Sequence, residues 1–220
     1  MTKHKTQSIR LTNIVDSCTI YWNKGSIKGI WIGDGSMDEF LKGFLSENER
    51  TGDPTSKWVE WEHISQGKTH YEDCLVLDGC WFQKSNKPNI PRHPYCHCVT
   101  KPVDYTRVLN QAFTISPHGK YIPYLFDTTG KYGHGKDVMF TSWGYPVEDA
   151  DLLKELIAEQ ALYKYVSGDY KLGKLDHDGQ RLSIRIELER RKGEGTVSFI
   201  TGWMVKPNGL IKLNTPYGGE

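Results

Sequence analysis

Cysteine, histidine and proline crowd one stretch of this chain, Cys74-Leu-Val-Leu-Asp78-Gly79-Cys80 followed by His93-Pro-Tyr-Cys96-His97-Cys98. Thiolates and imidazoles are the ligands zinc prefers, usually four in a tetrahedron. Pro88, Pro91 and Pro94 exclude a helix interior or a central strand between residues 83 and 98. A metal ion would order such a segment, because its binding energy is there folding energy. The spacing is not that of a zinc finger, and two cysteines one residue apart rarely both reach one ion comfortably. Buried free thiols beside a solvated histidine therefore stand as the competing reading. A catalytic zinc is disfavoured, since no glutamate stands at helical spacing from the histidines; Glu72 or Asp73 could serve as its carboxylate, but nothing else recommends it.

A second constellation is Gly130-Lys131-Tyr132-Gly133-His134-Gly135-Lys136. Glycines let a backbone approach a phosphate closely. Lys131 and Lys136 supply positive charge, and His134 can exchange a proton near neutral pH. The alternative is an exposed flexible loop. No Walker pattern is present, because the first glycine and the Ser/Thr after the lysine are missing, so nucleotide hydrolysis is disfavoured. Near the far end, Trp203 offers either a core side chain or a platform for a base, and Lys212, Thr215 and Tyr217 follow on one short strand. His177, between Asp176 and Asp178, reads as a solvated turn residue.

The elements that must position these groups are uneven in clarity. Residues 1–10 read as frayed, 18–33 as a hairpin, and 38–46 as a helix carrying Phe40, Leu41, Phe44 and Leu45 on one face. Strand and turn are expected over 58–82, and a connector over 99–117. From 148 to 166 runs the clearest helix, with Leu152, Leu153, Leu156, Ile157 and Ala161 as its apolar stripe and Glu148, Asp149 and Asp151 at its start. In RLSIRIELE, Leu182, Ile184, Ile186 and Leu188 alternate with polar residues, and two more strands follow around the turn Pro207-Asn208-Gly209. A helix followed by an antiparallel meander is an α+β plan. The boundary between a small N-terminal α+β region, 1–104, and a C-terminal domain, 105–220, is expected near Asp104.

Composition limits what these parts can do. Twenty-eight basic residues balance 27 acidic ones to a net charge of +1, so nucleic-acid binding must rest on a local patch. A mean hydropathy of −0.57, with no long apolar run, points to a soluble protein with neither membrane span nor secretory signal. Five cysteines without such a signal favour a reducing compartment, with thiol or metal chemistry rather than a disulfide framework.

Two resemblances add to this. DCLVLDG followed by HPYCHC resembles the C-terminal segment of phage minor head proteins of the Mu F type, with Tyr71 replacing a cysteine and His97 an arginine. It implies a structural zinc on Cys74, His93, Cys96 and Cys98, with Cys80 as substitute, and a phage head protein as partner. The long helical body of those proteins is missing here. KYIPYLF, GHGKDVMF, the long helix, Trp203-Met204-Val205 and Leu213-Asn214-Thr215-Pro216-Tyr217 resemble the barnase/EndoU/colicin/RelE-like nucleases, in their phage-associated and toxin branch. That implies metal-independent RNA cleavage through a 2′,3′-cyclic phosphate. His134 would be the base or acid. Lys136 and Lys120 would stabilise the phosphorane, Thr215 and Tyr217 would orient the phosphate, and Lys131, Trp203 and Lys212 would bind substrate. The partners implied are RNA and an immunity protein, in the cytoplasm or a virion. The alternative function is a non-catalytic head-morphogenesis accessory.

Overall fold

The computed structural model describes residues 57–65, 71–127, 129, 131 and 135–218, together with the backbone of three strands between residues 8 and 32. The helix expected over 38–46 lies outside the described residues, as do Gly130, Tyr132, Gly133 and His134. The chain divides into two compact units, 1–55 and 56–220.

In the first unit, β1 (Ser8–Leu11), β2 (Cys18–Asn23) and β3 (Ser26–Ile32) form an antiparallel sheet in the order β1-β2-β3. The hairpin expected over 18–33 is β2–β3. Of residues 1–10, expected to fray, the last three instead belong to β1, which pairs along β2 from Ser8 opposite Tyr21 to Leu11 opposite Cys18.

The second unit holds two sheets. β4 (Trp58–Glu62) is central in the smaller one, flanked antiparallel by β5 (Trp81–Gln83) and β6 (Val99–Val103), with the one-turn helix α1 (Glu72–Leu75) between β4 and β5. The expected connector over 99–117 is structured throughout. It contains β6, then α2 (Tyr105–Gln111), whose N-cap Asp104 accepts from the Thr106 N–H at 2.6 Å, then β7 (Phe113–Ile115). A 3₁₀ turn at His118–Lys120 leads to the loop, and α3 (Lys136–Ser142) follows it. The long helix α4 spans Ala150–Ser167 behind a 3₁₀ turn at Val147–Asp149. β8 (Lys171–Asp176), β9 (Gly179–Glu189), β10 (Thr196–Lys206) and β11 (Leu210–Thr215) complete the larger sheet, ordered β7-β11-β10-β9-β8. All its pairs are antiparallel except β7–β11. The class is α+β, as the helix-then-meander order implies.

Alternation explains why this sheet has one dry face. Leu182, Ile184, Ile186 and Leu188 stand opposite Trp203, Thr201, Phe199 and Val197, and all eight are buried. Thr201 is the one polar member, and its hydroxyl is fully used. It donates to the Ile184 carbonyl at 2.9 Å and accepts from the Trp203 indole at 2.8 Å. Helix α4 buries Leu153, Leu156, Ile157, Ala161 and Tyr165 and packs on β9 and β7. Gln160 also clamps the Glu187 backbone at both N–H and C=O, where β9 runs beyond its pairing with β8.

No division falls at residue 104. The Tyr165 hydroxyl on α4 donates to the Trp81 carbonyl on β5 at 2.7 Å, and Tyr170 exchanges hydrogen bonds with Gln83 and Asn86. Cys80 bridges to Pro207 in the β10–β11 turn. The described residues between 57 and 104 thus fold with the C-terminal part, through contacts at sequence separations that no local pattern signals. None of the described helices is long and apolar enough to cross a membrane.

Gly209, at φ +75°, lies so close to the Trp81 ring that an added Cβ would stand 2.6 Å from it. Gly193, at φ +85°, faces open space. Both alanine variants adopt a left-handed backbone, costing about 1–2 kcal/mol, but Gly209→Ala carries a further packing cost of about 1–3 kcal/mol. Urea unfolding should therefore rank Gly209→Ala clearly below Gly193→Ala. Equal midpoints would remove the close approach of the turn to Trp81.

Candidate functional site

The C-terminal cluster is built around a phenol. Lys136, the first residue of α3, sends its ammonium to the Tyr124 hydroxyl at 3.2 Å and to the Tyr217 carbonyl at 3.1 Å. The same ammonium stands 4.9 Å from the Tyr124 ring centre and 5.8 Å from that of Tyr217, within cation–π range. Lys120, at the end of the 3₁₀ turn, brings a second ammonium to 5.8 Å from the Tyr124 ring. Thr215 donates its hydroxyl to the Tyr217 carbonyl at 2.9 Å and also lies beside the Tyr124 oxygen. With a single proton, that hydroxyl serves one acceptor at a time.

Buried neighbours hold each of these groups. Phe140 on α3 packs against Phe126, Trp143, Phe199 and Tyr217, with ring centres 4.9–6.2 Å apart. This aromatic knot fixes the start of α3 against the end of β11. The Gly218 N–H, bonded to the Ile200 carbonyl at 2.9 Å, anchors the residues after Tyr217. Buried Tyr121, Leu125 and Phe126 pin the Lys120–Tyr124 segment.

Burial alone would raise the Tyr124 pKa. The Lys136 and Thr215 hydrogen bonds and the charges of Lys136 and Lys120 outweigh it, so the phenol ionises more readily than a free one. Burial does the opposite to Tyr121 and Tyr170, both pushed well above the usual phenol range, and it pushes Tyr105 up to about 12. Two cations, an acidified phenol and a hydroxyl can bind an oxyanion and pass it a proton.

Of the residues expected in this site, Lys120, Lys136, Thr215 and Tyr217 meet. Trp203 does not join them. It is fully buried on the core face with its indole N–H on Thr201, so no base can stack on it. Lys212 is exposed opposite Met204, on the face away from Phe199 and its neighbour Tyr217, because strand alternation turns it there. Lys131 is exposed in the loop. His134 lies outside the described residues. Tyr124 was missed, since a tyrosine inside KYIPYLF counts as apolar. Its place four residues after Lys120 was the available signal.

The second cluster joins Cys74, on α1, to the loop between β5 and β6. Ligand atoms of Cys74, His93 and Cys96 all lie within 4.8 Å of one another. Cys98 neighbours both Cys74 and Cys96 but falls outside that group of three. The expected substitute, Cys80, is elsewhere. Its thiol donates to the Val76 carbonyl at 3.6 Å, and burial pushes its pKa up to about 12. Burial also raises Cys74 and Cys98, whereas hydrogen bonds to Cys96, led by the Arg92 and Cys98 backbones, overcome burial and bring it down to about 7. His63, 3.6 Å from the Cys98 sulfur, was not foreseen, because it lies 35 residues away in sequence. His177 is a turn residue 3.6 Å from Asp178 and largely exposed, as expected.

Fold and site together describe an α+β domain with a lysine–tyrosine cluster at one sheet end and a separate Cys/His cluster. The family model described as Domain of unknown function (DUF6883) matches residues 109–220, and the chain belongs to that family. No curated protein and no solved structure matches the chain. The lysine–tyrosine cluster lies wholly within the matched region, and the Cys/His cluster precedes it.

The lowered Tyr124 pKa has a measurable signature. Ultraviolet titration of tyrosinate should show one early-ionising phenol in the wild type that is missing in Tyr124→Phe and displaced upward in Lys136→Met. Since the folded phenol ionises before the unfolded one, its contribution to stability is complete above pH ~10 and vanishes as pH falls through the folded pKa. Identical titration curves for wild type and Lys136→Met would disprove the Lys136–Tyr124 coupling.

Proposed function

We propose that the C-terminal region is a metal-independent endoribonuclease of the barnase/EndoU/colicin/RelE-like kind, of phage or mobile-element origin. The observation that carries this reading is the meeting of Lys120, Lys136 and Thr215 around the Tyr124 phenol, beside Tyr217. RNA transesterification needs a base for the 2′-hydroxyl, an acid for the departing 5′-oxygen, and positive charge on the phosphoryl oxygens. Lys136 and Lys120 supply the charge. Tyr124, whose proton is held more weakly than that of a free phenol, suits the acid, and Thr215 orients the phosphate. His134, two positions ahead of Lys136 in the chain, takes the 2′-hydroxyl proton. The 2′-oxygen then attacks phosphorus, the bond to the 5′-oxygen breaks, and that oxygen receives the Tyr124 proton. The helix-then-sheet order supports the likeness to this nuclease class.

The test uses the full chain, single-stranded RNA and EDTA. Cleavage to 2′,3′-cyclic termini is expected. His134→Ala should lower the rate by about 10²–10⁴-fold and Lys136→Ala by about 10²–10³-fold, with unfolding midpoints preserved. Undiminished activity in His134→Ala would defeat the imidazole's role. RNA retained but never cut would replace the enzyme with a binding module, the accessory reading.

A further inference from the structure

The Cys/His cluster has dimensions of its own to explain. Zinc–sulfur bonds of about 2.3 Å and zinc–nitrogen bonds of about 2.0–2.1 Å at tetrahedral angles set sulfur–sulfur edges near 3.8 Å and sulfur–nitrogen edges near 3.6 Å. The Cys74–Cys96 sulfurs are 3.8 Å apart, and the Cys74 sulfur is 3.2 Å from His93 Nε2. These edges are already close to those of a coordination tetrahedron.

The histidine is also set for ligation. Its Nδ1 lies 2.7 Å from the Pro94 carbonyl, which can only accept, so Nδ1 carries the proton and donates it. Nε2 then presents its lone pair toward Cys74. Tyr71 stacks on the ring with centres 3.6 Å apart and holds its plane. The turn that delivers it is unusual. The Cys96 N–H closes on the His93 carbonyl at 3.1 Å, with Tyr95 at φ +66° and its side chain 85% exposed. A tyrosine in the left-handed region gains no packing there, yet this backbone brings His93 and Cys96 to the same side.

Cys98 is the fourth ligand we assign: its sulfur lies outside the 4.8 Å group of the other three and, being one residue from Cys96, must draw in as the ion binds. It neighbours Cys74 and Cys96, with His63 Nδ1 3.6 Å from its sulfur. The buried Trp61 indole N–H, which has no oxygen or nitrogen acceptor, stands beside the same sulfur. Such an orphaned donor suits a thiolate, an acceptor that a neutral thiol scarcely replaces.

We propose that Cys74, His93, Cys96 and Cys98 bind one structural Zn²⁺ as three thiolates and one imidazole, with Trp61 and His63 supporting Cys98 from behind. Four protein ligands leave no open position, so the ion holds the proline-rich loop to α1 and does no chemistry. A nucleophilic Cys74–His93 pair fits less well, because Cys74 is fully buried. The proposal stands apart from the ribonuclease reading, since its ligands lie outside the lysine–tyrosine cluster.

The test is metal analysis of the full chain, purified from zinc-containing medium without added chelator. About one zinc per chain is expected, retained in Cys80→Ser and lost in Cys96→Ser and His93→Ala. Where a ligand variant fails to fold, two measurements on the wild type decide. Cobalt replacement should give intense thiolate-to-cobalt charge transfer with tetrahedral ligand-field bands. Chelation should unmask three thiols to a thiol reagent. His63→Ala should weaken zinc affinity by about 10–100-fold. Metal-free wild type, zinc undiminished in Cys96→Ser, octahedral cobalt spectra, or a Cys74–Cys96 disulfide in the isolated protein would each overturn the site.

Discussion

Trp81 is where the second unit is tied together. Its ring is completely buried, its carbonyl accepts from Tyr165 on α4, and its indole N–H donates to Glu60 on the neighbouring strand at 2.8 Å. The Arg107 guanidinium from α2 stands 4.7 Å from the ring centre, and the β10–β11 turn closes over it at Gly209. Leaving the Trp81 carbonyl unpaired in such a setting would cost about 1–3 kcal/mol, more than most surface contacts return. Two helices, a neighbouring strand and the β10–β11 turn therefore converge on one residue whose carbonyl and indole N–H are both paired. The small sheet is thus an integral wall of the C-terminal fold, and the Cys/His loop springs from that wall.

The lysine–tyrosine cluster inherits its precision from the same kind of packing at the other side of the sheet. Aromatic rings around Phe140 set where α3 begins, and the start of α3 sets where the Lys136 ammonium sits. That ammonium rests on a carbonyl, a phenol and two ring faces, and among the described residues no carboxylate pairs with it. These partners are neutral, and Lys120 brings a second positive charge to the same ring.

What the sequence disclosed depended on the range of the forces involved. The alternation of Leu182, Ile184, Ile186 and Leu188 and the stripe on α4 were legible, because strand and helix periods are local properties. The parallel pairing of β7 was not, since three residues, Phe113–Ile115, carry no pattern and find their partner in β11. The residues of both clusters were largely legible as types. Lysines beside glycines and cysteines beside histidines announce chemistry wherever they fold. Their partners were hidden: Tyr124 looked apolar, and His63 and Trp61 reach Cys98 from a distant strand. Trp203 and Lys212 erred in the other direction. Both sit on the strands expected, but alternation assigns one to the core and the other to the far face.

The β7–β11 pairing also orders events in time. Phe113 pairs with Leu210, so this edge of the sheet waits for a segment that the ribosome delivers much later. β11 leads directly to Thr215, beside Tyr124, and to Tyr217, which meets Lys136. During translation the earlier lysines and Tyr124 therefore emerge without their counterparts. A nascent chain carries an incomplete cluster until its closing strand docks.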